Sequence, residues 1–199
     1  MLNILTKGYL DILRLFYTEK TSLHLRAIAK KTKLNENSAY RFLNKLENEK
    51  ILQSEKQGNM KVFSLKKSKL VYSTLLLFDI ERYEKLSHIR KTAITYYLNA
   101  LPQQPVFVIL FGSTAKNNYK NSSDIDILII TNERIKTKKA ESEADAQSAL
   151  KVSTFQMNYE QFLTELKLKE DKVVQSAIKT GYPLTNHIKY YEVIQDANL

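Results

Sequence analysis

The sequence contains no cysteine. That excludes disulfides, thiolate zinc ligands and a thiol nucleophile, and it suits a reducing compartment. No uncharged apolar stretch approaches the ~18 residues a membrane span needs. The first residues lack the basic-then-apolar order of a secretory leader. The expectation is a soluble cytoplasmic protein. Acid is scarce in one part of the chain. Residues 1–70 hold fifteen Lys or Arg against six Asp or Glu, a net of +9, whereas 71–199 hold sixteen against fifteen. An excess confined to the first third is expected to meet a polyanion, the bland alternative being a basic solubilising surface. Hydrophobic residues make up 43% of the 199, enough for a packed core.

The apolar spacing of Leu2, Leu5, Tyr9, Ile12, Leu13 and Phe16 predicts a helix over about 2–18. Thr21-Ser22 offers an N-cap for a second helix, Leu23 to Lys31, with Leu25, Ile28 and Ala29 inward. His24 reads as a surface or half-buried helix residue, not a ligand. Thr32-Lys33-Leu34 reads as a tight turn. Asn35 then caps a third helix whose buried stripe is Ala39, Phe42, Leu43 and Leu46. In ILQSEKQGNMKVFSL, residues 51–65, two strand-like runs flank the turn residues Gln57-Gly58-Asn59.

Three helices and a hairpin resemble a winged helix-turn-helix domain, with LHLRAIAKKTKLNENSAYRFLNKLENEKIL as its central helices and the entry to the wing. Such domains usually end the recognition helix at a glycine, and here Lys50 stands in that place. The resemblance implies that the third helix enters a DNA major groove. Asn37, Ser38, Tyr40, Arg41 and Asn44 would face bases and phosphates. Lys30, Lys31 and Lys33 would flank the backbone, and Lys56 and Lys61 on the wing would reach a neighbouring groove. The alternative is a winged helix used for protein contact.

Residues 68–100 contain neither glycine nor proline and repeat apolar side chains at helical spacing, predicting one long helix or two in series. The stretch NALPQQP, 99–105, ends it, and a domain boundary is expected there. This gives a DNA-binding domain over 1–67, a helical linker or dimerisation segment over 68–101, and a further domain over 102–199. Tyr72, Phe78, Tyr83, Tyr96 and Tyr97 read as core or dimer seam.

VFVILFG, 106–112, reads as a buried strand bounded by proline and glycine, and DIDILII, 124–130, as the next. Thr114 to Asn118 could supply one or two helical turns between them. Alternation along a strand puts Asp124 and Asp126 on one face. Two carboxylates so placed repel unless one is protonated or a hard divalent cation such as Mg²⁺ accepts both; the alternative is a pair of solvated strand-end acids. Gly112 allows a close backbone approach to phosphate oxygens, and Ser113 adds a hydroxyl and an N–H.

This block, Gly112-Ser113, Ala115-Lys116 and then Ser123-Asp124-Ile125-Asp126, resembles the signature of the minimal nucleotidyltransferases of the DNA polymerase β superfamily. That family often carries Arg-Gly where this chain has Lys116-Asn117. The resemblance covers about 105–195. It implies Asp124 and Asp126 as metal-binding and catalytic residues, Gly112, Ser113 and Lys116 as nucleotide-binding residues, and transfer of a nucleotidyl group from ATP or another triphosphate to a hydroxyl. The family's third carboxylate, on a later strand, has no counterpart in KVSTFQMN, 151–158, which offers Ser153, Thr154 and Gln156. Glu141, Glu143 and Asp145 precede that strand on a polar helix face, and Glu160 follows it.

The expected fold class is α+β: a winged helix-turn-helix, a helical linker, and an α/β domain with a small mixed sheet and helices on one side. The tail EDKVVQSAIKTGYPLTNHIKYYEVI reads as helical. The expected function is a DNA-binding transcriptional regulator, dimeric, whose second domain binds a Mg²⁺–nucleotide. The alternative is an active nucleotidyltransferase acting on a protein or small-molecule hydroxyl, as the antitoxin of a pair whose toxin is helical.

Overall fold

The computed structural model describes residues 6–197. The chain forms two compact units that divide between Phe78 and Asp79.

The first unit begins with α1 (Lys7–Glu19), which buries Tyr9, Ile12, Leu13 and Phe16. Leu2 and Leu5 lie outside the described residues. A two-residue strand, β1 (Leu23–His24), precedes α2 (Leu25–Thr32), so the Thr21-Ser22 cap is not used. His24 caps α2 instead, its Nδ1 accepting from the Ala27 N–H at 3.2 Å. Leu23-His24 is drawn into strand geometry because it pairs with Val62 and Phe63, a partner that no local reading includes. Then come α3 (Glu36–Asn48), capped by Asn35 on the Ser38 N–H at 2.8 Å, β2 (Leu52–Gln57) and β3 (Met60–Leu65). The sheet order is β1-β3-β2, all antiparallel. This is the three-helix and hairpin arrangement of a winged helix-turn-helix.

The chain has only four glycines, and left-handed turns fall to other residues. Lys20, Lys33, Lys50, Asn117, Ala149, Lys169 and Asn186 all have positive φ. At the end of α3 the Lys50 N–H bonds the Glu47 carbonyl and the Ile51 N–H bonds that of Leu46, both at 2.9 Å. This is a complete Schellman turn with Lys50, φ 59, in the place of glycine. The turn is therefore as tight as glycine would make it, at the steric cost of a Cβ in that region.

α4 (Lys69–Glu84) runs across the division between the units, and α5 (His88–Asn99) follows after a break at 85–87. The second unit continues with β4 (Phe107–Phe111), α6 (Gly112–Ala115), β5 (Ile125–Thr131), α7 (Lys138–Ser148), β6 (Val152–Asn158), α8 (Tyr159–Leu168), α9 (Lys172–Thr180), β7 (Tyr182–Thr185) and α10 (His187–Asp196). The sheet order is β6-β5-β4-β7. β5 and β6 are parallel, joined through α7; the other pairings are antiparallel.

Three sequence expectations change. The prolines after Asn99 end α5 without separating domains. Leu86, Ala93, Ile94 and Tyr97 pack in one cluster with Val108, Leu110, Ile127 and Ile129, so α5 is core to the second unit rather than linker. Helices cover both sheet faces. Val108 and Leu110 belong to that cluster, while the alternate residue Phe107 lies 5.5 Å from the Phe162 ring of α8 and 5.7 Å from the Tyr190 ring of α10. The tail is interrupted by β7, which pairs with β4. Four residues containing Pro183 carry no strand signal, and proline is admissible there because β7 is an edge strand.

Replacing Lys50 by glycine keeps the turn and removes the Cβ strain. Lys50→Gly is expected to stabilise the first unit by about 0.5–1 kcal/mol, read from the midpoint of urea unfolding; a loss of stability would show that the lysine side chain matters more than its backbone.

Candidate functional site

β4 ends at Phe111, where the chain bends at Gly112 with φ +70. A Cβ at Gly112 would clash with Asp126 Oδ2. Glycine suits this backbone angle, and any side chain there would displace the Asp126 carboxylate. α6 is a single turn. Asn117 then reverses the chain at φ 54, a conformation asparagine tolerates better than most residues; the departure at Lys116-Asn117 therefore leaves a residue suited to that turn. The loop returns to Asp124, just before β5.

Register places the acids. Phe111 pairs with Asp126 across β4 and β5, and Asp126 with Ser153 across β5 and β6. Asp124 and Asp126 face the same side, as alternation requires. Ser153 Oγ donates to Asp124 Oδ2 at 2.9 Å, and the exposed Lys151 ammonium is 3.3 Å from the same oxygen. Asp126 is half-buried, and its carboxylate accepts no hydrogen bond from the described residues. Burial raises its pKa above the ordinary 3.8, Asp124 raises it further, and only Arg90 opposes. Among the described residues no third acid joins the pair; Ser153 occupies the matching point of β6.

Two arginines brace this loop, and neither is apparent as a site residue in the sequence. Arg90 of α5 is buried and donates to Thr114 Oγ1 at 2.8 Å, the Ser123 carbonyl at 2.9 Å and the Lys120 carbonyl at 3.0 Å. Its guanidinium lies 3.9 Å from the centre of the Tyr119 ring. It thus ties the glycine-serine end of the loop to the aspartate end. Burial lowers its pKa, while Tyr119 and Asp126 act to raise it. Arg82 of α4 donates to the Ala115 carbonyl at 2.9 Å and the Thr180 carbonyl at 2.7 Å, fixing α6 to the end of α9. The nearest sequence signal is spacing: Arg82 lies four residues after Phe78 and four before Leu86, and Arg90 four after Leu86 and three before Ala93, so both fall on the apolar stripe.

Lys116 is exposed on the loop, and Ser113 is half-buried with no hydrogen bond from its hydroxyl among the described residues. Phe155, two residues beyond Ser153 on the same sheet face, is 39% exposed and packs edge-on against Phe111. Thr154 points the other way, bonded to the Tyr97 hydroxyl at 2.8 Å.

In the first unit Asn37, Tyr40 and Arg41 are exposed on α3, with Ser38 and Asn44 half-buried beside them, opposite the buried Ala39, Leu43 and Leu46. Lys30, Lys33 and Lys56 are exposed. Lys31 and Lys61 are exposed too but paired, with Glu19 at 2.7 Å and Glu47 at 2.8 Å. Lys61 and Ser54 both bond Glu47 and lower its pKa.

Residues 92–188 match the family model for polymerase beta nucleotidyltransferases, and residues 9–56 match that for the IclR helix-turn-helix domain. The chain is a fusion of these two kinds of domain. The nucleotidyltransferase match runs from within α5 to the start of α10; it encloses Gly112, Ser113, Asp124, Asp126 and Ser153, while Arg82 and Arg90 precede it. No curated protein matches the chain. Two solved structures of Lactococcus lactis ZitR, one described as a zinc-responsive MarR family member and the other a mutant form, are 18% and 20% identical. Each match covers 48% of this chain and 72% of the other, with TM-scores of 0.29 and 0.30. At those scores the likeness carries no argument about this chain.

A raised carboxylate pKa means that the folded nucleotidyltransferase domain binds the Asp126 proton more tightly than the unfolded chain does. Stability contributed at this position is therefore lost as pH rises from about 3.8 through the raised value. Asp126→Asn is expected to remove that loss and raise the thermal midpoint at neutral pH by about 2 °C. Calorimetry at pH 4 and pH 7 checks it, since the gain should be confined to the higher pH.

Proposed function

We propose that the chain is a DNA-binding transcriptional regulator whose nucleotidyltransferase domain binds a divalent cation and a nucleoside triphosphate. The observation that carries the second half is Asp126: a half-buried carboxylate with no hydrogen-bond donor, pressed against the Gly112 bend, with Asp124 on the same face. A hard cation suits this donor set. Both acids offer oxygen, Asp124 keeps Oδ1 free of protein donors among the described residues, and the Asp126 charge is opposed by burial and by Asp124 and eased only by Arg90. Asp124 and Asp126 would hold the ion, Mg²⁺ being the one usually paired with triphosphates. Bound there, the ion would neutralise phosphate charge and orient the triphosphate for in-line displacement.

The chain's own groups set the remaining features. The Gly112 backbone and the Ser113 hydroxyl form the surface against which the outer phosphates lie. Lys116 and Lys151 supply exposed positive charge at the two sides of the acids. Arg90 and Arg82 hold the loop closed from behind, so that the phosphate-facing backbone is set before ligand arrives. ATP with Mg²⁺ is expected to bind in titration calorimetry, and Asp126→Ala to weaken binding at least about 100-fold, on the order of 2.7 kcal/mol. Absence of binding by the unaltered protein with Mg²⁺ or Mn²⁺ would defeat this reading. An added helical protein partner, as an antitoxin would have, is a further acceptor to include.

In the first unit α3 presents Asn37, Tyr40, Arg41 and Asn44 to the major groove, and Lys30, Lys33 and Lys56 lie where phosphates pass. Lys31 and Lys61 would exchange their carboxylate partners for phosphate, which makes their net contribution smaller. A homodimer reading two half-sites fits this use, and α4 leaves Leu77 45% exposed, seven residues from the exposed Leu70. Arg41→Ala is expected to weaken duplex binding by about 1–3 kcal/mol if it reaches a base edge. Affinity should fall with salt, with a log–log slope of about −0.9 for each phosphate contacted. Fluorescence anisotropy over a salt series reads both, and a flat response would favour a protein-contact role.

A further inference from the structure

Ser153 stands at the point of β6 that pairs with Asp126, on the same sheet face, with its hydroxyl proton directed at the Asp124 carboxylate 2.9 Å away. We propose that Ser153 is itself a nucleotidyl acceptor, so that the domain modifies its own chain. The inference rests on the metal–nucleotide reading of the same site.

The order of groups across the sheet supports it. Gly112-Ser113 close β4, Asp124 and Asp126 open β5, and Ser153 lies on β6, the next strand over. Neighbouring strands are about 4.8 Å apart, so the three positions form a row about two strand spacings long. In-line displacement needs the leaving group and the nucleophile on opposite sides of the reacting phosphorus. With the outer phosphates against Gly112-Ser113 and the acids beneath the α-phosphate, the β6 side is where the nucleophile must stand. Ser153 is the hydroxyl that β6 presents there, because Thr154 faces the opposite side and is bonded to Tyr97. The site has no third acid among the described residues to engage an outside acceptor, whereas Ser153 is already half-buried within it.

In the step, Ser153 Oγ bonds to the α-phosphorus. The bond from that phosphorus to the oxygen bridging the β-phosphate breaks, and pyrophosphate departs with the electron pair. The hydroxyl proton leaves along the bond it already makes to Asp124. The product is a serine phosphodiester carrying one nucleoside monophosphate, and no redox partner is consumed.

The test is to incubate the full chain with ATP and Mg²⁺, measure intact mass, and map the modified peptide, while calorimetry follows binding of a non-hydrolysable ATP analogue. One nucleoside monophosphate per chain is expected at Ser153. The rate per chain should be independent of protein concentration, as a step within one molecule requires. Ser153→Ala, checked for an unchanged thermal midpoint, should lower labelling at least about 100-fold, and Ser153→Thr, which keeps a hydroxyl, should restore it in part. A chain that binds the analogue but stays unlabelled overturns the self-acceptor proposal and leaves the nucleotide-binding reading standing. So does label at another residue, label that survives Ser153→Ala, or a rate proportional to concentration. A chain that does not bind the analogue overturns both.

Discussion

The contact on which the geometry of the second unit's loop depends is between a carboxylate and the space that a glycine leaves. Asp126 reaches into the volume that a side chain at position 112 would fill. The pairing of Phe111 with Asp126 across β4 and β5 is what sets this carboxylate against the bend. It also leaves a charged group half-buried without a hydrogen-bond donor, an arrangement that ordinarily costs stability. A fold keeps such a group where a ligand repays the cost. The raised pKa of Asp126 and its packing against Gly112 therefore report one constraint: the close approach of this half-buried carboxylate to the bend that ends β4.

The loop does not hold that geometry unaided. α6 is one turn long, and 116–124 has no regular structure. Arg90 connects the two ends of the loop with a three-pronged fork, and Arg82 ties α6 to α9. A guanidinium suits this work because its planar donors can meet several carbonyls at once, which a lysine cannot do. Both arginines come from the helices between the winged helix and the first strand of the sheet. α5 is core to the second unit: Ala93, Ile94 and Tyr97 join the cluster with the sheet residues while its Arg90 braces the loop.

Much of the architecture is visible in local patterns. The buried stripe of α3, the Asn35 cap, the hairpin around Gly58 and the apolar strands β4 and β5 all follow from spacing and turn chemistry. The helix break at 85–87 does not, because spacing left one helix or two. The misses share a cause. β1 and β7 are short strands that exist because a partner strand offers an unpaired edge. The division between units falls inside α4 rather than at the prolines, because it is set by which face each helical turn buries. Lys50 takes a left-handed turn because the Schellman bonds and the buried Ile51 hold it there, although its own preference is against it.

For the site, residue order alone determined that two acids share a strand face one residue apart, that a glycine-serine bend precedes them, and that β6 brings no acid to meet them. Alternation and turn preference are local properties, so they can be read without a fold. Only the tertiary structure decided that the Asp126 carboxylate occupies the space Gly112 leaves, that Arg90 links both ends of the loop, and that the Ser153 hydroxyl points at Asp124. Those contacts join residues 14 to 33 positions apart through strand register and helix packing, and register is set by the burial of the whole sheet, which no short stretch of sequence contains.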